Sequence, residues 1–208
     1  PREALQGRIR VFCSVTASYF LLPEVLGRFR HRYPQLELKL ETGDAALAVD
    51  KVLREETDIA IAARPDALPA RLQYCLLQRV PLVFIAPRNS TNVSQWLKDG
   101  EPDWSQVPLI VSQQGLSRKR CDQWFRNKGI SPNIYAEVAG NEAIVSMVTL
   151  DCGIGLVPEA VIEHSPLGSQ VRVIQPVPAL KPFEVGFCVL KRRLDEPLIQ
   201  AFWQMVQQ

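Results

Sequence analysis

Between Ile9 and Pro34 the chain changes its hydrophobic period, and no other stretch constrains the fold as strongly. Ile9, Val11 and Cys13 alternate as on a half-buried strand. Leu22, Val25, Leu26, Phe29 and Tyr33 then recur at about 3.6 residues, the spacing of one helix face. Between the two lies a hydroxyl-rich turn, Ser14-Val15-Thr16-Ala17-Ser18. Pro23 falls in the first turns of the helix, where its missing N–H costs little. Arg28, Arg30 and Arg32 sit in the last turn, where cations suit the negative end of the helix dipole. A strand that feeds a helix through a polar turn directs unpaired N–H groups and hydroxyls at one place, which suits an anion. The plainer reading is that Ser18 caps the helix and that Ser14 and Thr16 are ordinary turn residues. This segment alone leaves both readings open.

The same switch of period recurs downstream. Leu36 to Thr42 alternates as a strand, Gly43 and Asp44 offer a turn and an N-cap, and Ala45 to Glu56 reads as a helix with Leu47, Val52 and Leu53 inward. Asp58 to Ala63 is a near-continuous apolar run, as expected of a strand covered on both faces. Leu72–Leu77 and Leu82–Ala86 are further strands, and the pattern restarts after Pro87-Arg88-Asn89-Ser90. A short helix is expected around Ser94–Lys98, then strands at 109–111 and 134–138, each followed by a helix, 117–128 and 141–150. Gly129 supplies the helix-ending residue of the first of these. Gly153-Ile154-Gly155 precedes an apolar strand instead of opening a helix, so it is no dinucleotide fingerprint. Strands at 171–174 and 183–190 and a helix from Pro197 complete the chain, and the last two elements resemble the first half more than the second. The expectation is an α/β fold of two lobes, each a doubly wound and mostly parallel sheet, joined by two crossover strands. Lobe I comprises 8–86 plus 184–208, and lobe II comprises 87–183.

Bulk properties exclude several functions. A net charge of +2 in 208 residues is too balanced to be an electrostatic footprint for nucleic acid. No apolar run approaches the ~20 residues that span a bilayer, so no membrane role is expected. The five cysteines stand singly without a C-x-x-C pair. This argues for free thiols in a reducing cytoplasm, without disulfides, a zinc site or an export leader. The basic run of Arg118, Lys119, Arg120, Arg126 and Lys128 reads as a solvated helix face. His31 and His164 have no partner at useful spacing, so no catalytic residues, metal or cofactor are expected.

The strand ends carry the candidate site. Ser14 and Thr16, Thr42 and Gly43, Arg64, Ser112 and Gln113, and Asn141 and Glu142 all follow or close expected strands. Open α/β sheets bind ligands beyond the carboxyl ends of their strands. Gathered in one cleft, these groups suit a small carboxylate, with Arg64 able to grip it in a bidentate fork. The sequence therefore argues for binding without chemistry. A solute-binding protein of a transport system is the alternative.

Five stretches in order resemble the effector-binding domain of LysR-type transcriptional regulators: Gly7-Arg8-Ile9-Arg10-Val11, Leu22-Pro23, Phe29-Arg30 with Tyr33-Pro34, Leu53 with Asp58-Ile59-Ala60-Ile61, and Gly153 to Pro158. The resemblance runs from Gly7 to the end of the chain. It implies a two-lobed, periplasmic-binding-protein-like fold of type II. It also implies a winged helix-turn-helix N-terminal to Pro1 and absent from this chain, through which alone promoter DNA is contacted. A small carboxylate effector would be held by Ser14, Thr16, Ser18, Thr42, Arg64, Ser112, Gln113 and Asn141 and would control transcription activation. Ala17 departs from relatives with a polar side chain there. The resemblance further implies a homodimer, and a tetramer in the full-length protein. In the dimer the helix Leu22–Arg32 packs antiparallel against the partner's Arg118–Lys128, with Leu22, Leu26, Phe29, Arg30, Trp124 and Phe125 at the interface.

Overall fold

A computed structural model describes residues 5–98 and 101–208. The chain divides into two units, one running to Gln78 and resuming at Glu184–Gln208, the other Arg79–Phe183.

The first unit begins with strand β1 (Gly7–Cys13), helices α1 (Val15–Phe20) and α2 (Leu22–Arg32), and strand β2 (Leu36–Thr42). Helix α3 (Ala48–Leu53), strand β3 (Ile59–Ala63) and strand β4 (Leu72–Val80) follow. The chain leaves the unit within β4 and returns along β12 (Phe183–Leu190) to helix α7 (Pro197–Val206). The sheet order is β2-β1-β3-β12-β4. β1 runs parallel to β2 and β3, and β12 runs antiparallel to β3.

Alternation along β1 decides which helix covers which face. Ile9, Val11 and Cys13 join Ile59 and Ile61 under α2 and α7, whose Leu22, Val25, Phe29, Ile199 and Phe202 close that core. Phe12, Ala60 and Ala62 face the other way and pack with Ala48, Val52 and Leu72. β3 is thus covered on both faces, which explains its unbroken apolar run.

In the second unit, β5 (Leu82–Pro87) is followed by a small hairpin of β6 (Leu97–Lys98) and β7 (Glu101–Pro102), then by β8 (Pro108–Ser112) and α4 (Gly115–Lys128). β9 (Asn133–Val138), α5 (Asn141–Thr149), β10 (Ile154–Pro158), α6 (Glu159–His164) and β11 (Val171–Ile174) complete it. The sheet order is β11-β5-β10-β8-β9. One core gathers Val83, Ile85, Ile110, Ile144, Val145 and Val148. A tight aromatic group unites Phe84, Trp104, Trp124 and Phe125, with ring centroids 4.4–6.1 Å apart. Gly155 has no alternative at its position, because a Cβ there would lie 2.4 Å from an Ile144 methyl. α4 ends as expected at Gly129, which adopts the left-handed conformation with φ 66°.

Several expectations are corrected. The first lobe does not extend to residue 86: β5 hydrogen-bonds antiparallel to β10 and β11 in the second sheet, so the first unit's opening segment ends at Gln78. Both sheets are mixed instead of mostly parallel, since β12 pairs antiparallel with β3, and β5 does so with both its neighbours. The hydroxyl-rich turn is itself a short helix, α1. The helix expected over 45–56 splits into a 3₁₀ turn, Ala45–Leu47, and α3, which leaves Leu47 exposed. The stretch near Ser94 is likewise a 3₁₀ turn, Val93–Trp96.

Four residues expected at a dimer interface are committed to their own unit. Leu22 and Phe29 are buried in the core under α2 and α7. Trp124 and Phe125, 5% and 2% exposed, sit in the aromatic group, and the Trp124 indole N–H donates to the Pro178 carbonyl at 2.7 Å. Helical spacing marks a buried stripe but does not say which surface buries it.

Candidate functional site

In the first sheet the parallel register aligns the carboxyl ends of three strands. Cys13 lies level with Thr42, and Phe12 with Ala60, so Ser14, Thr42 and Arg64 emerge along one edge. The Gly43 N–H donates to the Cys13 carbonyl at 3.1 Å, which keeps the two neighbouring turns together.

Ser14 is the N-cap of α1. Its hydroxyl accepts from the Ala17 N–H at 3.1 Å, and its carbonyl accepts from the Ser18 N–H at 3.1 Å. Ser18, read from the sequence as the cap, instead lies one turn in and donates its hydroxyl back to the Val15 carbonyl. Thr16 is a buried polar residue, 6% exposed, between them. Asp44 caps the next turn by accepting from the Ala46 N–H at 3.0 Å. Thr42 is exposed at the end of β2. Every hydroxyl predicted for this half of the site is therefore at the strand-end edge or in the first turn beyond it.

Arg64 follows β3 directly. Its backbone N–H donates to the Glu184 carbonyl at 2.7 Å, and its half-exposed guanidinium lies 3.7 Å from the Glu184 carboxylate. The Tyr74 hydroxyl, buried against the sheet, donates to the carbonyls of Glu184 and Ala62 at 2.6 and 2.9 Å. Burial, foremost, pushes the Tyr74 hydroxyl far above the usual phenol range, so it remains a donor at all ordinary pH. Arg64 and Glu184 line a cavity of about 390 Å³ in this unit, together with Leu68, Leu72, Tyr74 and Lys191. Neither Tyr74 nor Glu184 stood out in the sequence. The one available signal was a carboxylate interrupting the apolar run of β12.

In the second unit β8 and β9 end level, Ser112 beside Val138, and the Gln113 N–H donates to the Val138 carbonyl at 2.9 Å. Asn141 opens α5 just beyond, after Gly140 at φ 87°. Ser112, Gln113 and Asn141 therefore share one edge of the second sheet. Arg118 on α4 donates to the Ser112 carbonyl at 3.2 Å and to Asp122 at 2.9 Å, tying helix to strand end. The sequence placed it on a solvated face.

Among the described residues no group of three or more metal-ligating side chains occurs, and no helix is long and apolar enough to cross a membrane. Cys13, Cys121 and Cys188 are buried, and burial pushes their thiols up to about 11, 12 and 12 respectively, far from nucleophilic.

Two α/β units joined by two strands, with polar groups at the strand ends, define a ligand-sensing domain. The chain belongs to the LysR substrate-binding domain family, which matches residues 2–208. It is 46% identical over 206 residues to the HTH-type transcriptional activator IlvY of Salmonella typhimurium strain LT2, covering 98% of this chain and 70% of that protein. The HTH-type transcriptional regulator IlvY of Escherichia coli K12 is also 46% identical, with 98% and 69% covered. Two solved structures share the fold. The cofactor-binding domain of the Cbl transcriptional regulator has a TM-score of 0.79 at 22% identity, covering 99% of this chain and 92% of that one. The effector-binding domain of QuiR in complex with shikimate has a TM-score of 0.80 at 20% identity, covering 97% and 96%. The curated relatives are transcriptional regulators and not enzymes, and they disfavour the transport alternative.

Proposed function

We propose that this domain senses an acetohydroxy acid, acetolactate or acetohydroxybutyrate, and thereby controls activation of a gene of branched-chain amino acid biosynthesis. The observation that carries the reading is the high identity to IlvY combined with Arg64 and a row of hydroxyls at one sheet edge. Such a ligand offers a carboxylate for Arg64 and hydroxyl and keto oxygens for Ser14, Thr16, Ser18 and Thr42. The second unit has a polar edge of its own at Ser112, Gln113 and Asn141. The ligand acts by population shift: it favours one conformational state only by the difference in its affinity for the two. A switch of about 5–150-fold needs about 1–3 kcal/mol of coupling. A charge-assisted contact to Arg64, at about 1.5–3 kcal/mol, is of that size.

In this reading the longer regulator works in the cytoplasm, contacts promoter DNA through an N-terminal helix-turn-helix, and self-associates as a homodimer and then a tetramer. Of the six residues expected at the dimer interface, Leu26 and Arg30 on α2 keep surface to offer a partner. The test is calorimetric titration with 2-acetolactate. Thr16→Val and Arg64→Ala each weaken binding at least about tenfold while circular dichroism stays unchanged. Unchanged affinity in both variants overturns the site.

A further inference from the structure

β4 is the outermost strand of the first sheet: it lies beside β12, and among the described residues no strand flanks it on the other side. Along such an edge the outward N–H and C=O groups have no ladder partner, and folded proteins guard them with charges, prolines or short length. β2, at the opposite edge of the sheet, is guarded in this way by the exposed Glu37, Lys39 and Glu41. β4 is not. Its stretch Gln73-Tyr74-Cys75-Leu76-Leu77-Gln78 holds six consecutive residues without a charge or a proline. Leu76, in the middle of that stretch, is 44% exposed.

The face beside this edge is an apolar groove with one charged end. Leu72, Tyr74 and Leu76 alternate along β4 and, with Leu68, line the cavity of about 390 Å³. The Lys191 N–H donates to the Arg71 carbonyl at 2.8 Å, and Gly186 lies against Cys75 and Leu76, so β12 runs antiparallel to β4. Lys191 and Arg71, both exposed, therefore stand at the start of β4, with Arg64 and Glu184 toward its other end. The Arg64–Glu184 ion pair neutralises that other end. The groove is thus apolar along its length and positive where Arg71 and Lys191 stand.

We propose that β4 is a docking edge for an extended apolar segment of a partner protein, one that carries acidic residues at its C-terminal end. The segment adds to the sheet as an antiparallel strand, the commoner pairing, and its main chain satisfies the outward groups of β4. Its alternate side chains lie over Leu68, Leu72 and Leu76, and its acidic end meets Arg71 and Lys191. A second copy of this chain fits less well, because its own uncharged β4 stretch brings no acid to those two cations. The surface is separate from the effector reading, since it draws on neither the hydroxyl row nor the Arg64 guanidinium.

The test uses the 208-residue chain, isotopically labelled for NMR, and an acetylated peptide of three threonine–valine repeats followed by two glutamates. On binding, every second amide between Gln73 and Gln78 gains protection from hydrogen exchange, the mark of a strand added at the edge. A matching peptide ending in two lysines binds roughly tenfold more weakly, and the difference shrinks as salt is raised. Replacing both cations, Arg71→Ala with Lys191→Ala, removes the difference between the peptides. Leu76→Asn, at an exposed position where circular dichroism stays unchanged, weakens the glutamate peptide about fivefold. Absence of protection on β4, or equal affinity of the native chain for the two peptides, overturns the proposal. Protection of the same amides without peptide, rising with the concentration of the native chain, also overturns it and assigns the edge to a second copy.

Discussion

Asp58 offers the sharpest test of what holds the first unit's strand edges in register. It lies at the start of β3, 8% exposed, with its carboxylate almost fully surrounded by donors. The Arg10 N–H reaches Oδ2 at 2.7 Å, and the Arg10 side chain reaches Oδ1 at 2.9 Å. Arg193, beyond β12, reaches Oδ1 at 2.9 Å. Burial alone disfavours the charged form, but the bonds from Arg10 and Arg193 outweigh it and hold the carboxyl below its ordinary range. Asp58→Asn keeps the volume, yet in either orientation the new amide turns N–H groups toward donors. Removing one partner of a buried ion pair costs about 3–5 kcal/mol. Arg10 is 38% exposed and Arg193 keeps two 2.8 Å bonds to Glu196, so the lower figure, about 3 kcal/mol, is expected at pH 7.

Because the folded-state pKa is depressed, this stability is present above the unfolded value of about 3.9 and fades as pH falls through the folded value. The gap between native chain and variant is therefore constant from about pH 7 to about pH 5 and narrows below about pH 4. Urea denaturation at several pH values measures the gap. Hydrogen exchange places it, with β1 and β3 losing protection while β8 and β9 keep theirs. A gap under about 1 kcal/mol at pH 7, or one unchanged at about pH 3, refutes the argument.

Trp124→Ala opens a void among Phe84, Trp104 and Phe125 and is expected to destabilise the second unit by about 3–5 kcal/mol, seen as a lower urea midpoint at every protein concentration. A loss that appears only on dilution would return Trp124 to an intermolecular interface. At pH 8 the thiols of Cys13, Cys121 and Cys188 are expected to resist a thiol reagent until the chain unfolds, whereas the half-buried Cys75 and Cys152 react first. Mass-spectrometric mapping of the labelled cysteines checks the order.

Much of this architecture follows from local rules. The change of period after Cys13 reports β1 and α2, because alternation and helical recurrence are properties of a few consecutive residues. The apolar run of β3 requires cover on both faces, and α2 with α7 on one side and α3 on the other provide it. The hydroxyls at Ser14, Thr16 and Thr42 were legible as strand-end residues for the same reason. Membership of β5 was not legible, since a hydrophobic strand carries no mark of its partner, and its pairing with β10 and β11 spans seventy residues or more. The cap at Ser14 was misplaced by four residues because α1 is too short to show a periodicity of its own.

By itself the sequence determined the order of the longer strands and helices, most of the faces that must be buried, and the hydroxyls, amides and guanidinium that stand at strand ends. All of these depend on side-chain type and spacing along the chain. Only the tertiary structure decided that Glu184 stands beside Arg64, that Asp58 lies between Arg10 and Arg193, and that Trp124 faces inward. Those placements bring together residues more than a hundred positions apart in the first case and in the Asp58–Arg193 pair. The free energy that fixes them is the burial of whole faces, which no local pattern records.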